Sequence, residues 1–209
     1  GASLDWSGYL EELSVKSIQA ERDGDPAVAL ADVPVVAEEH DTWACGDFPV
    51  LRRHSTVLFG SGGAGKSYLA MWIAGHLAQQ DIPVVYLDWE LAGDNHRARL
   101  ERLFQPMPRG VHYLHCRQPL RDQMDRIQRT IVQRRCRYAV FDSVGPASRQ
   151  GGRFSEGDPG QEYFGLVRRF GIGSLHVAHP PHRVEEEGRA TIYGCPDAQT
   201  EVLTRRGWY

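Results

Sequence analysis

Lysine is nearly missing from this chain: of 24 Lys and Arg in 209 residues, only Lys16 and Lys66 are lysines. Cysteine is sparse as well. Cys45, Cys116, Cys136 and Cys195 lie far apart with no C-x-x-C pair, which excludes the usual zinc spacing and a disulfide framework. No apolar run approaches the roughly 18 residues that a membrane-spanning helix needs, so no membrane partner is expected. Net charge is small, −3, which argues against a protein that coats a polyanion by bulk charge. Disorder throughout is excluded by a hydrophobic content of 41%. Neither a signal peptide nor a lipidation motif is evident, so a reducing cytoplasm is the expected location.

What is present divides in two. Residues 1–47 form an acidic arm carrying Asp5, Glu11, Glu12, Glu21, Asp23 and Asp25, with one helix expected over 4–13 and no strong strand. Residues 48–209 read as a single core. Short β-rich runs at Ser55–Phe59, 83–88, Val111–His115, 137–142 and 174–179 alternate with helical stretches. Those stretches are Lys66–Gln79, 95–104, Leu120–Arg134 and 161–170. Five apolar strands with intervening helices predict an α/β fold, a mostly parallel twisted sheet with helices on both faces. Two segments break the rhythm. Residues 145–160 hold five glycines and two prolines, and residues 180–194 open on Pro-Pro and carry three consecutive glutamates. Both read as loops beyond strand carboxyl ends, where open α/β sheets place their ligands.

The strongest motif runs Gly60-Ser61-Gly62-Gly63-Ala64-Gly65-Lys66-Ser67, a match to G-x-x-x-x-G-K-[ST] at every fixed position. It follows an expected strand and opens an expected helix, the context in which it cradles phosphate. Glycines let consecutive backbone N–H groups curl around a β-phosphate, and the helix N-terminus adds its dipole. Lys66 is placed to bridge β- and γ-phosphates and Ser67 to ligate Mg²⁺; Tyr68, next in line, completes the expected ATP-binding set. Two strand ends supply acids. Tyr138-Ala139-Val140-Phe141-Asp142 ends on a carboxylate suited to holding Mg²⁺ through water, one strand away from the phosphate loop. Val84-Val85-Tyr86-Leu87-Asp88-Trp89-Glu90 presents Glu90 to orient or deprotonate an attacking water, with Asp88 to cap or support it.

Taken together, a phosphate loop, a glutamate after the next strand and a later strand ending in Asp resemble the RecA/DnaB/KaiC-like ATPases. The run Tyr86–Glu90, the basic helix His96–Arg102 and the strand end Val177-Ala178-His179 are similar to the RepA-like subgroup of phages and mobile elements. The resemblance spans roughly residues 47–209. It implies a RecA-like P-loop NTPase fold with a short C-terminal antiparallel extension, and ATP hydrolysis at subunit interfaces of a homo-oligomeric ring or filament. It also implies work on DNA, in a helicase, replication or recombination role. His179 matches a position that senses the γ-phosphate. Relatives often place a lysine soon after that histidine to act on a neighbouring subunit's ATP; here Pro180-Pro181-His182-Arg183 offers Arg183 instead, one position out of register.

In RecA-like proteins two loops bind single strands, and by position these are residues 145–160 and 180–194. The first carries Arg149, Arg153 and Phe154, suited to phosphate contact and base stacking of single-stranded or branched DNA. Arg121, Arg126, Arg129, Arg134 and Arg135 form a second basic stretch that an ordinary solvated helix explains equally well. Two other functions fit the same loop: a nucleotide-dependent binding switch with slow hydrolysis, and a small-molecule kinase. The kinase fits least, because no compact Arg-rich lid is present.

Overall fold

The computed structural model describes residues 5–23, 27–35, 41–46, 48–148 and 159–179. The chain divides into two units, Gly1–Ala37 and Glu38–Tyr209, each taken on its own below. In the first, helix α1 (Trp6–Asp23) starts where Asp5 accepts the Gly8 N–H at 3.0 Å through Oδ1 and the Tyr9 N–H at 3.2 Å through its carbonyl. The helix runs ten residues past the expected end at 13. No glycine or proline interrupts residues 14–23, and a Glu12–Lys16 ion pair at 2.6 Å spans one turn.

The second unit opens with an antiparallel hairpin, β1 (Thr42–Cys45) and β2 (Phe48–Leu51), turning through Gly46 at φ +54°. Neither strand is among the sequence-based expectations, because four residues are too few to display a period. The chain then alternates: β3 (Ser55–Phe59), α2 (Lys66–Gln79), β4 (Val84–Asp88), α3 (Gly93–Leu103), β5 (Val111–His115), α4 (Leu120–Arg134), β6 (Tyr138–Asp142), α5 (Val144–Ser148), α6 (Pro159–Arg168) and β7 (Gly173–Ala178). All pairings in the five-stranded sheet are parallel, in the order β3-β7-β6-β4-β5. Strand β7 thus separates the phosphate-loop strand β3 from β6.

Every residue of β4, β6 and β7 is buried, the mark of central parallel strands covered on both faces. Period-two alternation sends their side chains into two cores. Val84, Tyr86, Val140 and Val177 meet Met71, Ile73 and Leu77 of α2, Leu100 of α3, and Trp43 and Val50 of the hairpin. Val85, Leu87, Ala139 and Phe141 meet Leu120, Ile127 and Ile131 of α4 and Tyr163, Phe164 and Val167 of α6.

Two expectations need correction. Residues 145–160 are not wholly loop: Val144–Ser148 forms α5, and α6 begins at Pro159, where a fixed φ and a missing N–H suit a first helical residue. The antiparallel element present is β1–β2, before the phosphate loop; the C-terminal extension expected from the resemblance falls at residues 180–209, outside the described residues. Among the described residues, no helix is long and apolar enough to cross a membrane.

Candidate functional site

Because all five strands run parallel, their carboxyl ends share one edge of the sheet, and the chemistry-bearing residues gather there. Residues 60–65 link β3 to α2, with Gly63 at φ +76° and Gly65 at φ +80°, left-handed conformations that favour glycine. A Cβ built on Gly62, Gly63 or Gly65 would meet nothing within 4 Å, so the loop presents open backbone at these three positions. Lys66, 7% exposed, folds its ammonium onto the loop and donates to the Gly60 carbonyl at 2.6 Å and the Ser61 carbonyl at 2.8 Å. Burial lowers its pKa, against the opposing pull of the Asp142 and Glu90 carboxylates. Tyr68 is exposed, with the Arg99 guanidinium 5.0 Å above its ring.

Asp142 ends β6, separated from β3 by the single strand β7, at 2% exposure. Burial pushes its carboxyl pKa up despite hydrogen bonds from Tyr86 and Ser67. The Tyr86 hydroxyl donates to Oδ2 at 2.7 Å. A buried carboxylate beside a serine hydroxyl is the donor set that a hard divalent ion takes. The open glycine cradle and this pair therefore fit a nucleotide with Mg²⁺.

Glu90 follows β4 through a short turn. The Ser143 hydroxyl, just past β6 and joined to Asp142 by a cis peptide, hydrogen-bonds Glu90 Oε1. His179, just past β7, stands between the expected catalytic groups: its Nδ1 is 3.4 Å from Lys66 Nζ and its Nε2 4.0 Å from Glu90 Oε1. Lys66, Ser67, Glu90, Asp142 and His179 thus converge on one edge, with His179 and Glu90 partly open to solvent. Asp88 is fully buried. Burial acts to raise its pKa, but His96 at 3.3 Å and the backbone N–H groups of Glu90 and Leu91 outweigh it and hold the carboxyl below its ordinary value.

Sequence reasoning missed Ser143, Tyr86 and Tyr113. Ser143 follows the acidic strand end directly, so its nearness to Glu90 was implicit in the adjacency of β4 and β6, but only the strand order reveals that adjacency. Tyr86 and Tyr113 look like strand core, and only their hydroxyl partners betray another role. His176 is buried within β7, between the Tyr163 hydroxyl at 2.9 Å and Ser174 Oγ at 2.8 Å, away from the edge. Arg149, Arg153, Phe154 and Arg183 lie outside the described residues.

The chain matches the family model described as an AAA domain over residues 33–182. No curated protein matches it. Among solved structures, a KaiC-like protein from the hyperthermophilic archaeon Pyrococcus horikoshii OT3 is similar, with a TM-score of 0.57 at 15% identity, covering 71% of this chain and 68% of that one. At such identity the likeness is one of fold, the RecA-like sheet with its phosphate loop. The family match spans well over half the sequence and takes in the loop, both acidic strand ends and His179: the chain belongs to the AAA domain family of phosphate-loop NTPases.

Proposed function

We infer that the chain binds ATP with Mg²⁺ and hydrolyses the γ-phosphate, as a RepA-like motor or recombination-type ATPase working on DNA in a homo-oligomeric ring or filament. The observation that carries the hydrolytic part is the convergence of Lys66, His179 and Glu90 at 3.4 and 4.0 Å beside the buried Asp142. In this reading the loop N–H groups and Lys66 bind the phosphates, Ser67 and Asp142 hold Mg²⁺, and the Glu90 carboxylate accepts the proton of the attacking water. Mg²⁺ when bound supplies charge neutralisation on the phosphates. His179 donates a hydrogen bond toward phosphate or Glu90, linking the two. The DNA part rests on Arg149, Arg153 and Phe154 in the segment that leaves β6 through α5.

A second reading, a nucleotide-dependent switch with slow turnover, is favoured by the Ser143–Glu90 hydrogen bond, which engages the proton acceptor through a neighbouring side chain. Steady-state ATP turnover with and without single-stranded DNA decides between them. DNA-stimulated hydrolysis, lost in Lys66→Ala and Glu90→Gln, supports the motor. ATP binding without turnover in the unmodified chain supports the switch, and phosphate transfer to a small metabolite overturns both in favour of a kinase.

A further inference from the structure

The turn that carries Glu90 is tied at each backbone N–H. Trp89 donates to the Asp142 carbonyl at 2.8 Å. Glu90 donates to Asp88 Oδ1 at 3.0 Å, and Leu91 donates to the same carboxylate at 3.1 Å (Oδ1) and 3.2 Å (Oδ2). One anchor is therefore the main chain of the residue placed to hold Mg²⁺, and the other is a carboxylate without solvent exposure.

Asp88 is in turn held from the far side. The Tyr113 hydroxyl, on the neighbouring strand β5, lies 3.0 Å from Asp88 Oδ2, 3.1 Å from the Leu91 carbonyl and 3.2 Å from His115 Nδ1. A hydroxyl has one proton; with the His115 Nδ1–H tautomer donating to the Tyr113 oxygen, that proton goes to the carboxylate or to the Leu91 carbonyl, and either choice closes the turn. A Cβ on Gly93 would come within 2.9 Å of the Tyr113 ring, which fits closely over the start of α3.

An aspartate that merely capped the following helix would look different. The N-cap of α3 is Ala92, whose side chain makes no capping hydrogen bond to the helix, whereas the Asp88 carboxylate bonds the two residues before Ala92. Those bonds serve the turn rather than the helix. They also fall where Glu90 needs a fixed base, because its own side chain is 41% exposed and is met at its tip by Ser143 and, at 4.0 Å, by His179.

We propose that Asp88, backed by Tyr113, is the positioning residue for Glu90: it fixes the 89–91 turn by accepting its N–H groups, so that the Glu90 carboxylate stays in register with Asp142 and Lys66. Asp88 touches no reacting atom and acts only through the main chain of its neighbour. The inference rests on the reading of Glu90 as proton acceptor.

The test is ATP turnover and ATP binding by the full chain. Asp88→Ala lowers kcat about 30-fold while KM and ATP affinity stay within about threefold, the signature of misplaced chemistry rather than lost binding. Asp88→Asn retains an oxygen for both N–H groups and returns kcat to within about fivefold of the unmodified protein. Should Asp88→Ala fail to fold, Tyr113→Phe carries the test, with kcat reduced several-fold at unchanged KM. Unchanged kcat in both Asp88→Ala and Tyr113→Phe overturns the inference; so does a loss confined to ATP affinity, or an Asp88→Asn as impaired as Asp88→Ala. Normal turnover in Glu90→Gln instead removes the reading of Glu90 itself, and the two failures are thereby distinct.

Discussion

Lys66 and Glu90 flank His179, yet their loss has different consequences. The Lys66 ammonium bonds two carbonyls of the phosphate loop and is nearly buried, so Lys66→Ala removes a loop brace and, on the proposed reading, a phosphate ligand. Glu90→Gln preserves shape and the contact with Ser143 but cannot accept a proton. The expected outcome is ATP affinity within about threefold and kcat lower by at least about 100-fold for Glu90→Gln, against weakened ATP binding for Lys66→Ala. Equilibrium ATP binding beside phosphate release checks this, and a Glu90→Gln protein that turns over normally refutes the assignment. His176 makes a prediction of another kind. Burial pushes its pKa down to about 3, so it stays neutral in the fold while the unfolded chain takes up a proton near pH 6.5. The unfolded state therefore binds more protons between those values, and stability falls as pH drops through that window. From pH 7 to pH 5 the loss from this residue is about 2 kcal/mol. Urea unfolding at both pH values detects it as the part of the pH dependence that disappears in His176→Gln; an identical dependence in both proteins contradicts it.

Two glycines show how the elements are fitted to one another. Gly173 begins β7 where a Cβ would stand 2.4 Å from the Leu51 carbonyl oxygen and 2.6 Å from that of Arg52, backbone atoms that have nowhere to go. Gly75 sits within α2 where a Cβ would come 2.1 Å from the Phe104 ring. Helix propensity alone favours alanine over Gly75 by about 1 kcal/mol, but overpacking costs about 1–3 kcal/mol and decides the sign. Both Gly173→Ala and Gly75→Ala are expected to destabilise, Gly173→Ala more, since an aromatic side chain yields sooner than a main chain; thermal unfolding ranks them. The same scale shows what was legible. The strands β4, β6 and β7 announce themselves as apolar runs because both faces are buried, the edge strands β3 and β5 as less deeply buried runs in the same alternation, and the helices between them by length and punctuation. The hairpin β1–β2 is too short for a pattern to register, and α1 outruns its apolar start because helix formers with an ion pair sustain it. At the site, Lys66 and Ser67 are legible from the phosphate-loop motif, and Glu90 and Asp142 as acids at strand ends. The hydroxyls of Ser143, Tyr86 and Tyr113 are not, because their partners come from neighbouring strands whose order no local pattern encodes.

A net charge of −3 leaves no general attraction for DNA, so any contact must be local, and position singles out the segment between α5 and α6. It follows Val144–Ser148, which comes directly after Asp142 and Ser143, and α6 begins at Pro159. On the proposed reading, DNA bound by this segment would act on the chain that follows directly from Asp142, the carboxylate proposed to hold Mg²⁺, and from Ser143, whose hydroxyl bonds Glu90. Arg149→Glu combined with Arg153→Glu is therefore expected to weaken single-stranded DNA binding and to abolish stimulation of ATP turnover, while basal turnover stays unchanged. If each arginine neutralises one phosphate, the slope of log affinity against log salt falls in magnitude by about 1.4 for single strands. Fluorescence anisotropy of a labelled oligonucleotide across a salt series measures the slope, and ATP turnover with and without the oligonucleotide measures the coupling. A double variant with unaltered slope and undiminished stimulation takes this segment out of the DNA path, and leaves an ATPase whose partner must be met elsewhere on the molecule.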